Sequence, residues 1–489
     1  MATLCAQRRG IARGARRPYR RGVRASTLRE LRETGHVHQS VKEEVKANLL
    51  VRMRAGLTPA QRFPGIVGFD DTVIPQLERA LLAGHDIVLL GERGQGKTRL
   101  IRSLVGLLDE WTPVIAGSEL NEHPYAPVTP GMRRVAAELG EDLPVAWRHR
   151  SERYGEKLAT PDTSVGDLIG DVDPVKVAEG RALGDPETVH FGLVPRTNRG
   201  IFAVNELPDL AERIQVALLN VLEERDIQVR GYQLRLPLDL LVVVSANPED
   251  YTNRGRIITP LKDRFGAEIR THYPLDLTDE VDLARQEAVL SALVPEHLFE
   301  VVARFTRHVR ESPAVDARSG VSARFAIAAV ETAAAGALRR AALVGENPPV
   351  ARICDLPTVL DTLAGKVEFE VGEEGREREV LMHLLRKATV ETFRRHLGAS
   401  DLSALIARFD EGETVESGDL VPAAGLLEQV GPLPGLAHLM ERLGIEDAET
   451  PGLAASALEF AMEGLYLTRR IAKDEVHTAA GNRIVYGGS

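Results

Sequence analysis

The sequence predicts an α/β protein, with an αβα core built on a parallel sheet, an all-α lid and an α-helical C-terminal extension. Three observations lead to this fold class. A short apolar run at 87–90 is followed by a glycine-rich loop and then by apolar residues at helical spacing. Two further apolar runs, 200–204 and 240–244, have the length and composition of buried strands. From about residue 276 onwards the apolar residues recur mainly at helical spacing.

Length and composition describe an ordinary globular chain. Its 489 residues are enough for several domains. No apolar run reaches the roughly 20 residues that a membrane-spanning helix needs, so we predict no membrane span. The chain has two cysteines, Cys5 and Cys354, which argues against a disulfide framework or a cysteine metal site. Because so few cysteines suit a reducing compartment, we expect a cytoplasmic protein.

The net charge of −10 is unevenly distributed. Eight of the 61 basic residues are arginines in 1–25, where there is no acid, so the rest carries 53 basic and 71 acidic residues. An acidic body argues against broad duplex nucleic-acid binding, which needs a basic face. Three interpretations of the leader stay open: a disordered basic arm, an organelle transit peptide, or a start codon placed too early. We favour the third, with folding beginning after about residue 26.

Composition divides the chain into five segments. They are a basic leader predicted to be disordered (1–25), an N-terminal helical segment (26–62), the α/β core (63–275), a helical lid (276–398) and a helical C-terminal extension (399–489). Within the core, the stretch of about 116–198 is mostly polar and separates the glycine loop from the next strand, so we predict an insertion there. The alternation of Val367, Phe369 and Val371 predicts one small strand in the lid.

The glycine-rich loop has the pattern of a phosphate-binding loop, G-x-x-x-x-G-K-[ST]. Its residues are Gly91, Glu92, Arg93, Gly94, Gln95, Gly96, Lys97 and Thr98. Glycines allow backbone N–H groups to close around a triphosphate, and the following helix adds a favourable dipole. In such a loop Lys97 reaches the β- and γ-phosphates and the Thr98 hydroxyl binds Mg²⁺. We therefore predict a site for ATP with Mg²⁺.

The second apolar run leads directly into Asn205 and Glu206. At this strand end phosphate-loop ATPases usually carry Asp-Glu, in which Asp holds the Mg²⁺ shell and Glu polarises the attacking water. Glu206 has the position of that general base. Asn205 departs from the pattern, because its amide oxygen can bind the metal or its water but brings no charge. We therefore expect weaker Mg²⁺ affinity or slower hydrolysis, with Asp209 as the candidate to compensate.

Three further polar residues complete a candidate ATPase site. Asn247 follows the third strand, where a polar side chain can contact the γ-phosphate or its water. Arg264 comes after that strand and is placed to project into a neighbour's site as an arginine finger, worth about 10³–10⁵ in rate. Arg324 opens a helix of the lid and can reach back to the γ-phosphate. Arg318 competes with Arg324 for that role.

In this order the motifs resemble those of AAA+ ATPases of the helix-2-insert clade, and among them the magnesium-chelatase I subunit and MoxR-like proteins. The matching segments after the glycine loop are residues 165–198 by placement, Arg199-Gly200-Ile201-Phe202, Asn205-Glu206-Leu207, the predicted hairpin 226–236, Asn247-Pro248-Glu249 and Asp263-Arg264-Phe265-Gly266. The resemblance covers about 63–345 and fades over 1–62 and beyond 398.

The resemblance implies a ring oligomer, a hexamer, with ATP at the subunit interfaces. It implies Glu206 as base, Asn247 as sensor 1, Arg264 acting in trans and Arg324 as sensor 2. It also implies a partner with a von Willebrand A domain, together with which the ring remodels or metallates a client.

That partner domain is expected in a separate protein, because no D-x-S-x-S metal-adhesion motif occurs in the chain. The segment Asp401-Leu-Ser-Ala-Leu fails it at the last position. Nothing in the sequence indicates a tetrapyrrole pocket, so we expect general remodelling rather than porphyrin metallation.

Two alternatives stay open. A nucleic-acid or transcription motor is supported only by the Arg-rich leader, and the Gly-Ala-Phe-Thr-Gly-Ala loop of sigma-54 activators is absent. A nucleotide-gated scaffold with little turnover is motivated by the neutral Asn205.

Overall fold

A computed structural model of the chain describes residues 24–179, 188–224, 227–229, 232–234, 236–248, 256–316, 320–447, 449–478 and 481–488. The helices in these ranges are, in chain order, α1 (Leu28–Glu33), α2 (Val41–Arg54), α3 (Pro59–Arg62), α4 (Val73–Ala83), α5 (Lys97–Ser103), α6 (Pro130–Leu139), α7 (Val165–Leu168), α8 (Pro174–Ala178), α9 (Leu193–Arg196), α10 (Glu212–Glu224), α11 (Thr259–Arg264), α12 (Leu277–Glu287), α13 (Glu296–Glu311), α14 (Ala323–Val344), α15 (Leu356–Leu363), α16 (Glu377–Leu397), α17 (Ser403–Asp410), α18 (Ala423–Val430), α19 (Leu436–Arg442) and α20 (Pro451–Leu467). The strands in the same ranges are β1 (Ile87–Leu90), β2 (Trp111–Ile115), β3 (Val145–His149), β4 (Tyr154–Leu158), β5 (Gly170–Val172), β6 (Val189–Phe191), β7 (Gly200–Asn205), β8 (Ile227–Val229), β9 (Tyr232–Leu234), β10 (Leu240–Ala246), β11 (Ala267–Arg270), β12 (Val415–Gly418), β13 (Ala472–Thr478) and β14 (Gly481–Gly487).

A five-stranded parallel sheet forms the centre of the core. Its strands lie in the order β11, β1, β10, β7 and β4, and every neighbouring pair is parallel. Because every pair is parallel, all five strands run in the same direction, and each connection between neighbours has to cross from one end of the sheet to the other. The carboxyl ends of β1, β7 and β10 therefore lie at the same edge. This edge carries the glycine loop and the polar residues that follow the other two strands.

Alternate residues of β1 point into two separate hydrophobic cores, one on each face of the sheet. Ile87 and Leu89 pack with residues of α2, α4 and α5. Val88 and Leu90 belong to the core on the other face, with residues of α7 and α10. Because both faces are covered, the strand is apolar along its whole length. These layers confirm the predicted α/β fold class.

The range predicted as an insertion contains one strand of the central sheet, which corrects that prediction. Strand β4 pairs with β7, and Leu158 lies beside Asn205. Strand β4 lies at the edge of the sheet, where a strand has only one neighbour and can be mostly polar. For this reason the apolar pattern of the sequence did not reveal it. The segment 116–198 is thus two pieces, one before and one after a core strand.

The N-terminal helix α2 is attached to the core by a buried ion pair. The guanidinium of Arg153 donates to both carboxylate oxygens of Glu44, at 2.8 and 2.7 Å. Both side chains are buried. Removing one partner of such a pair leaves an uncompensated buried charge, which typically costs about 3–5 kcal/mol. Helices α1, α2 and α3 occupy the segment predicted to be helical.

The lid and the C-terminal extension share one hydrophobic core. Leu298 of α13, Leu360 of α15, Phe460 of α20 and Tyr486 of β14 belong to the same cluster. The boundary predicted at 398 therefore does not separate two cores. Helix α20 joins the two parts, because it is buried along almost its whole length and packs against α16.

Strands beyond the core differ from the prediction in two places. The extension, predicted as helical, also contains an antiparallel sheet in the order β12, β14 and β13. The strand predicted around Phe369 is not formed, because this residue makes only an isolated bridge to Val315. A single bridge provides too few backbone hydrogen bonds for a strand.

The predicted hairpin is present as β8 paired with β9, with its turn outside the described residues.

No helix in the described ranges combines the length and apolar character that crossing a membrane requires.

Candidate active site

The glycine loop joins β1 to α5 at the carboxyl edge of the sheet. Gly94 and Gly96 have φ angles of +74° and +70°, a region that residues with side chains rarely adopt. A Cβ atom on Gly94 would lie 2.0 Å from the Cβ of Ser322, whereas one on Gly96 would meet no atom within 4 Å. Gly94 thus allows the loop to contact the lid closely. The space beside Gly96 is open.

The side chain of Lys97 lies over the backbone of the loop. Its ammonium donates to the carbonyls of Gly91 and Glu92, the second at 2.6 Å. The buried Gln95 supports the same backbone, because its Oε1 accepts from the Glu92 N–H at 3.0 Å and from the Thr271 hydroxyl at 2.9 Å. A phosphate reaching Lys97 would replace contacts to neutral carbonyls by a stronger charge-assisted one.

Polar groups from the loop, β7 and β10 meet at one atom, Asn205 Oδ1. The Thr98 hydroxyl lies 3.3 Å from this oxygen and the Ser245 hydroxyl 3.2 Å, and both donate to it. Ser245 also accepts from the N–H of Glu206 at 3.3 Å. The structure therefore brings together the loop hydroxyl and both strand ends that the sequence analysis selected.

A carboxylate on β4 holds the other end of the Asn205 amide. Asn205 Nδ2 donates to Glu156 at 2.6 Å. Glu156 also accepts from Arg102 at 2.8 and 3.0 Å and from the Tyr154 hydroxyl at 3.0 Å. Burial by itself raises the pKa of Glu156, because it disfavours the charged form. The hydrogen bonds to the carboxylate, first among them that of Arg102, outweigh burial and lower this pKa below its ordinary value. The carboxylate bonded to Asn205 is thus Glu156, and compensation by Asp209 stays a prediction.

The two residues that follow the strand ends differ in exposure. Glu206 is exposed and has a φ of 58°, which is uncommon for a residue with a side chain. Backbone strain of this kind often occurs at functional sites. Asn247 is buried, with 4% of its surface exposed.

The two predicted arginines lie on different elements. Arg264 is the last residue of α11, exposed, and its guanidinium contacts the carboxylate of Glu223 on α10. Arg324 is an exposed residue in the first turn of α14. It follows Ser322, the capping residue that would meet a Cβ on Gly94, so its backbone lies near the loop of its own chain. The competing Arg318 lies outside the described residues.

A series of contacts connects the loop to the lid. The Tyr273 hydroxyl donates to the Arg93 carbonyl at 2.8 Å, and the Arg310 guanidinium lies 4.2 Å from the Tyr273 ring centre. Arg310 also donates to the Val321 carbonyl at 3.0 Å and to the buried Glu280 at 2.8 Å. Tyr273 therefore connects the loop to Arg310, and the ion pair with Glu280 holds Arg310 in place within the lid.

Three residues of this site belong to no sequence motif: Glu156, Arg102 and Tyr273. They contact residues that are 49, 54 and 180 positions away along the chain, respectively. The neutral Asn205 is the only signal for a carboxylate nearby. It does not indicate which of the many acidic residues is the partner.

Comparison with known proteins gives magnesium-chelatase subunits among the sequence relatives. No family model matches the chain. The chloroplastic magnesium-chelatase subunit ChlI-1 of Arabidopsis thaliana is 30% identical over 232 residues, which cover 45% of this chain and 50% of that protein. Over this range the chain is similar to a magnesium-chelatase I subunit. A second relative, the magnesium-chelatase subunit ChlI of Anabaena variabilis, is 27% identical over 215 residues, covering 43% of this chain and 60% of that protein.

The resemblance to magnesium-chelatase I subunits that the sequence motifs predicted is confirmed by these relatives. The chain spans about half the length of the Arabidopsis relative. Among solved structures, one of a complex between subunits BchI and BchD of magnesium chelatase is 20% identical and covers 65% of this chain and 97% of that one. Its TM-score of 0.33 is too low to indicate a common overall arrangement.

The oxygen atoms at this site fit a magnesium ion. Thr98 Oγ1 and Asn205 Oδ1 lie 3.3 Å apart. Mg²⁺ prefers oxygen ligands and usually takes one or two from the protein, with phosphate oxygens and water as the others. Both of these oxygens belong to neutral groups, which distinguishes this site from one with an aspartate at position 205.

Proposed function

We propose that this chain binds and hydrolyses ATP with Mg²⁺, as a motor of the magnesium-chelatase I and MoxR type. The observation that carries this proposal is the meeting of Thr98, Asn205 and Ser245 at one oxygen, beside the loop that holds Lys97. The sequence relation to magnesium-chelatase I subunits supports it.

Each residue has a distinct role in this proposal. Lys97 binds the β- and γ-phosphates, and the Thr98 and Asn205 oxygens face the metal. A bound Mg²⁺ neutralises charge on the phosphate oxygens. Glu206 takes a proton from the attacking water, and Asn247 orients that water or the γ-phosphate.

We further propose that the active form is a hexameric ring. Arg264, exposed at the end of α11, completes the site of the next subunit, whereas Arg324 acts on the site of its own chain. The exposure of Arg264 supports this role, because a residue that reaches a neighbour must lie at the surface.

A separate protein with a von Willebrand A domain is the proposed partner, and remodelling of a client is the proposed outcome. The family resemblance and the missing metal-adhesion motif support this assignment. Co-purification with such a protein in the presence of ATP tests it. Failure of a co-encoded candidate to bind would contradict it.

Steady-state phosphate release in the presence of Mg²⁺ tests the proposed ATPase activity. We expect Lys97→Ala to lose both nucleotide binding and turnover. Glu206→Gln should keep nucleotide binding and lose turnover by about 10²–10⁴, the usual contribution of a general base. Glu212→Gln, on an exposed residue of α10, provides the matched control and should resemble the parent. A parent rate no higher than that of Lys97→Ala would contradict the proposal of a motor.

A nucleotide-gated scaffold with little turnover is the second candidate, favoured by the neutral amide of Asn205. The same experiment separates the two functions. Mg²⁺-dependent nucleotide binding without turnover by the parent protein would support the scaffold, and turnover above the Lys97→Ala background would exclude it.

A further inference from the structure

The pair formed by Asn205 and Glu156 determines which way the amide of Asn205 points. An ionised carboxylate only accepts hydrogen bonds, so Glu156 binds the NH₂ group of the amide. The distance from Asn205 Nδ2 to Glu156 is 2.6 Å. The carbonyl oxygen of the amide then faces the hydroxyls of Thr98 and Ser245, both of which can donate. Glu156 thus directs an oxygen toward the loop.

Glu156 is itself held in place from two other directions. Arg102 donates to both of its carboxylate oxygens, at 2.8 and 3.0 Å. Because Arg102 lies on α5, which begins at Lys97, this ion pair ties β4 to the helix that follows the glycine loop. The Tyr154 hydroxyl donates to the same carboxylate at 3.0 Å. A carboxylate with three donors has little freedom to turn away from Asn205.

We propose that Glu156 is a positioning residue for the nucleotide-bound metal, and that it carries the negative charge which position 205 lacks. The charge lies one strand away, on β4 instead of β7, and acts through the amide of Asn205. This inference rests on the proposed function, since it concerns the Mg²⁺ that accompanies the nucleotide.

The contact between Asn205 and Glu156 predicts that an aspartate would not fit at position 205. Such a residue would place a carboxylate oxygen where the NH₂ group now lies, 2.6 Å from Glu156. Two anionic oxygens at that distance repel each other, so one of the carboxylates has to move or take up a proton, and either change has a free-energy cost. Asn205→Asp alone should therefore damage the site, although it restores the residue usual in phosphate-loop ATPases. Asn205→Asp combined with Glu156→Gln exchanges the two groups and keeps both the charge and a hydrogen bond.

The test compares the parent, Asn205→Asp, Glu156→Gln and the double variant. A second double variant, Asn205→Asp with Glu152→Gln, is the matched control. It removes a carboxylate on the exposed Glu152, which pairs with Arg148 and not with residue 205. Two quantities are measured: the affinity for a fluorescent ATP analogue with and without Mg²⁺, and the unfolding temperature without nucleotide.

We expect each single variant to weaken the Mg²⁺-dependent affinity about tenfold, which is a typical coupling for residues in direct contact. Asn205→Asp should also lower the unfolding temperature by about 2–4 °C. The exchange variant should recover most of both losses, and the control double variant should recover neither.

Two results would overturn the inference. One is an Asn205→Asp protein that binds the analogue with Mg²⁺ at least as tightly as the parent. The other is equal recovery by the exchange variant and the control double variant. If the parent binds no nucleotide, the proposed function fails. The unfolding temperatures still decide whether residues 156 and 205 are coupled, so the two failures can be told apart.

Discussion

The loop glycines show what single residues contribute to this site. Gly94 and Gly96 have similar positive φ angles, but only Gly94 lies against another part of the protein. The space that a side chain at Gly94 would need is occupied by Ser322, the residue that caps α14. Gly96 borders open space, which the proposed triphosphate needs. The same residue type therefore allows a close contact with the lid at one position and leaves open space at the other.

Gly94→Ala and Gly96→Ala separate these two effects. Both variants place a side chain at positive φ, which costs roughly 1–2 kcal/mol of folding free energy. Gly94→Ala also forces the loop and Ser322 apart, because the new Cβ would lie 2.0 Å from the Ser322 Cβ. We therefore expect the larger loss of unfolding free energy for Gly94→Ala, measured by urea denaturation without nucleotide. Equal losses would show that the contact with Ser322 does not constrain the loop.

At the scale of elements, α13 and α20 pack around an imidazole. His297 of α13 is fully buried, and its ring centre lies 4.7 Å from that of Phe460 on α20. The Ser456 hydroxyl lies 3.4 Å from His297 Nε2. Burial lowers the pKa of His297 to about 3, and the nearby His396 acts in the same direction against Glu300. The contact between the two helices therefore requires a neutral histidine.

This histidine predicts a loss of stability in mild acid. Below about pH 6.5 the unfolded chain binds a proton at this residue that the folded protein does not bind until about pH 3. The free energy of unfolding therefore carries no penalty from this residue above about pH 6.5. It falls as the pH decreases below that value, by up to about 1.4 kcal/mol per pH unit. We expect His297→Gln to make the unfolding free energy less dependent on pH between 7 and 5.

His438→Gln, on an exposed residue of α19, is the control for this comparison and should leave the pH dependence unchanged. Parallel curves for the parent and His297→Gln would mean that the buried imidazole does not carry the effect.

At the scale of the whole molecule, one hydrophobic core extends from α12 to β14. A motion of the lid would therefore carry the C-terminal extension with it. The lid contacts the loop through Ser322, and Tyr273 connects the loop to Arg310 of the lid, so a change in the loop can reach this large unit directly. Arg264 lies at the surface, apart from these contacts and paired with Glu223.

Mixing two inactive proteins tests whether Arg264 acts on a neighbouring subunit. Arg264→Ala should reduce ATP turnover by about 10³–10⁵, the usual effect of a missing arginine finger. Lys97→Ala should be inactive for a different reason. In a mixed ring, a subunit with intact Lys97 can receive Arg264 from a Lys97→Ala neighbour, so we expect the mixture to regain part of the parent's turnover. Arg270→Ala, on an exposed residue of β11, is the control and should remain active. A mixture as inactive as its components would contradict action in trans.

The glycine loop and the two polar strand ends were predictable because their chemistry is local. The glycines, Lys97 and Thr98 are contiguous, and Asn205 and Glu206 directly follow an apolar run. Their meeting at one edge follows from the parallel direction of the strands. The α/β fold class and the helices of the lid follow equally from the spacing of apolar residues.

The remaining features depended on contacts between distant segments. The polar strand β4 is recognisable only beside β7, where its register places Leu158 next to Asn205. The same pairing brings Glu156 to the amide of Asn205, a contact that neither segment specifies alone. Likewise, the shared core of lid and extension arises from the packing of α16 on α20. The sequence by itself determined which groups can bind phosphate and metal, because backbone freedom and side-chain chemistry belong to each residue. Only the tertiary structure decided that Glu156 lies at the amide of Asn205, because strand register and burial arise from the whole chain.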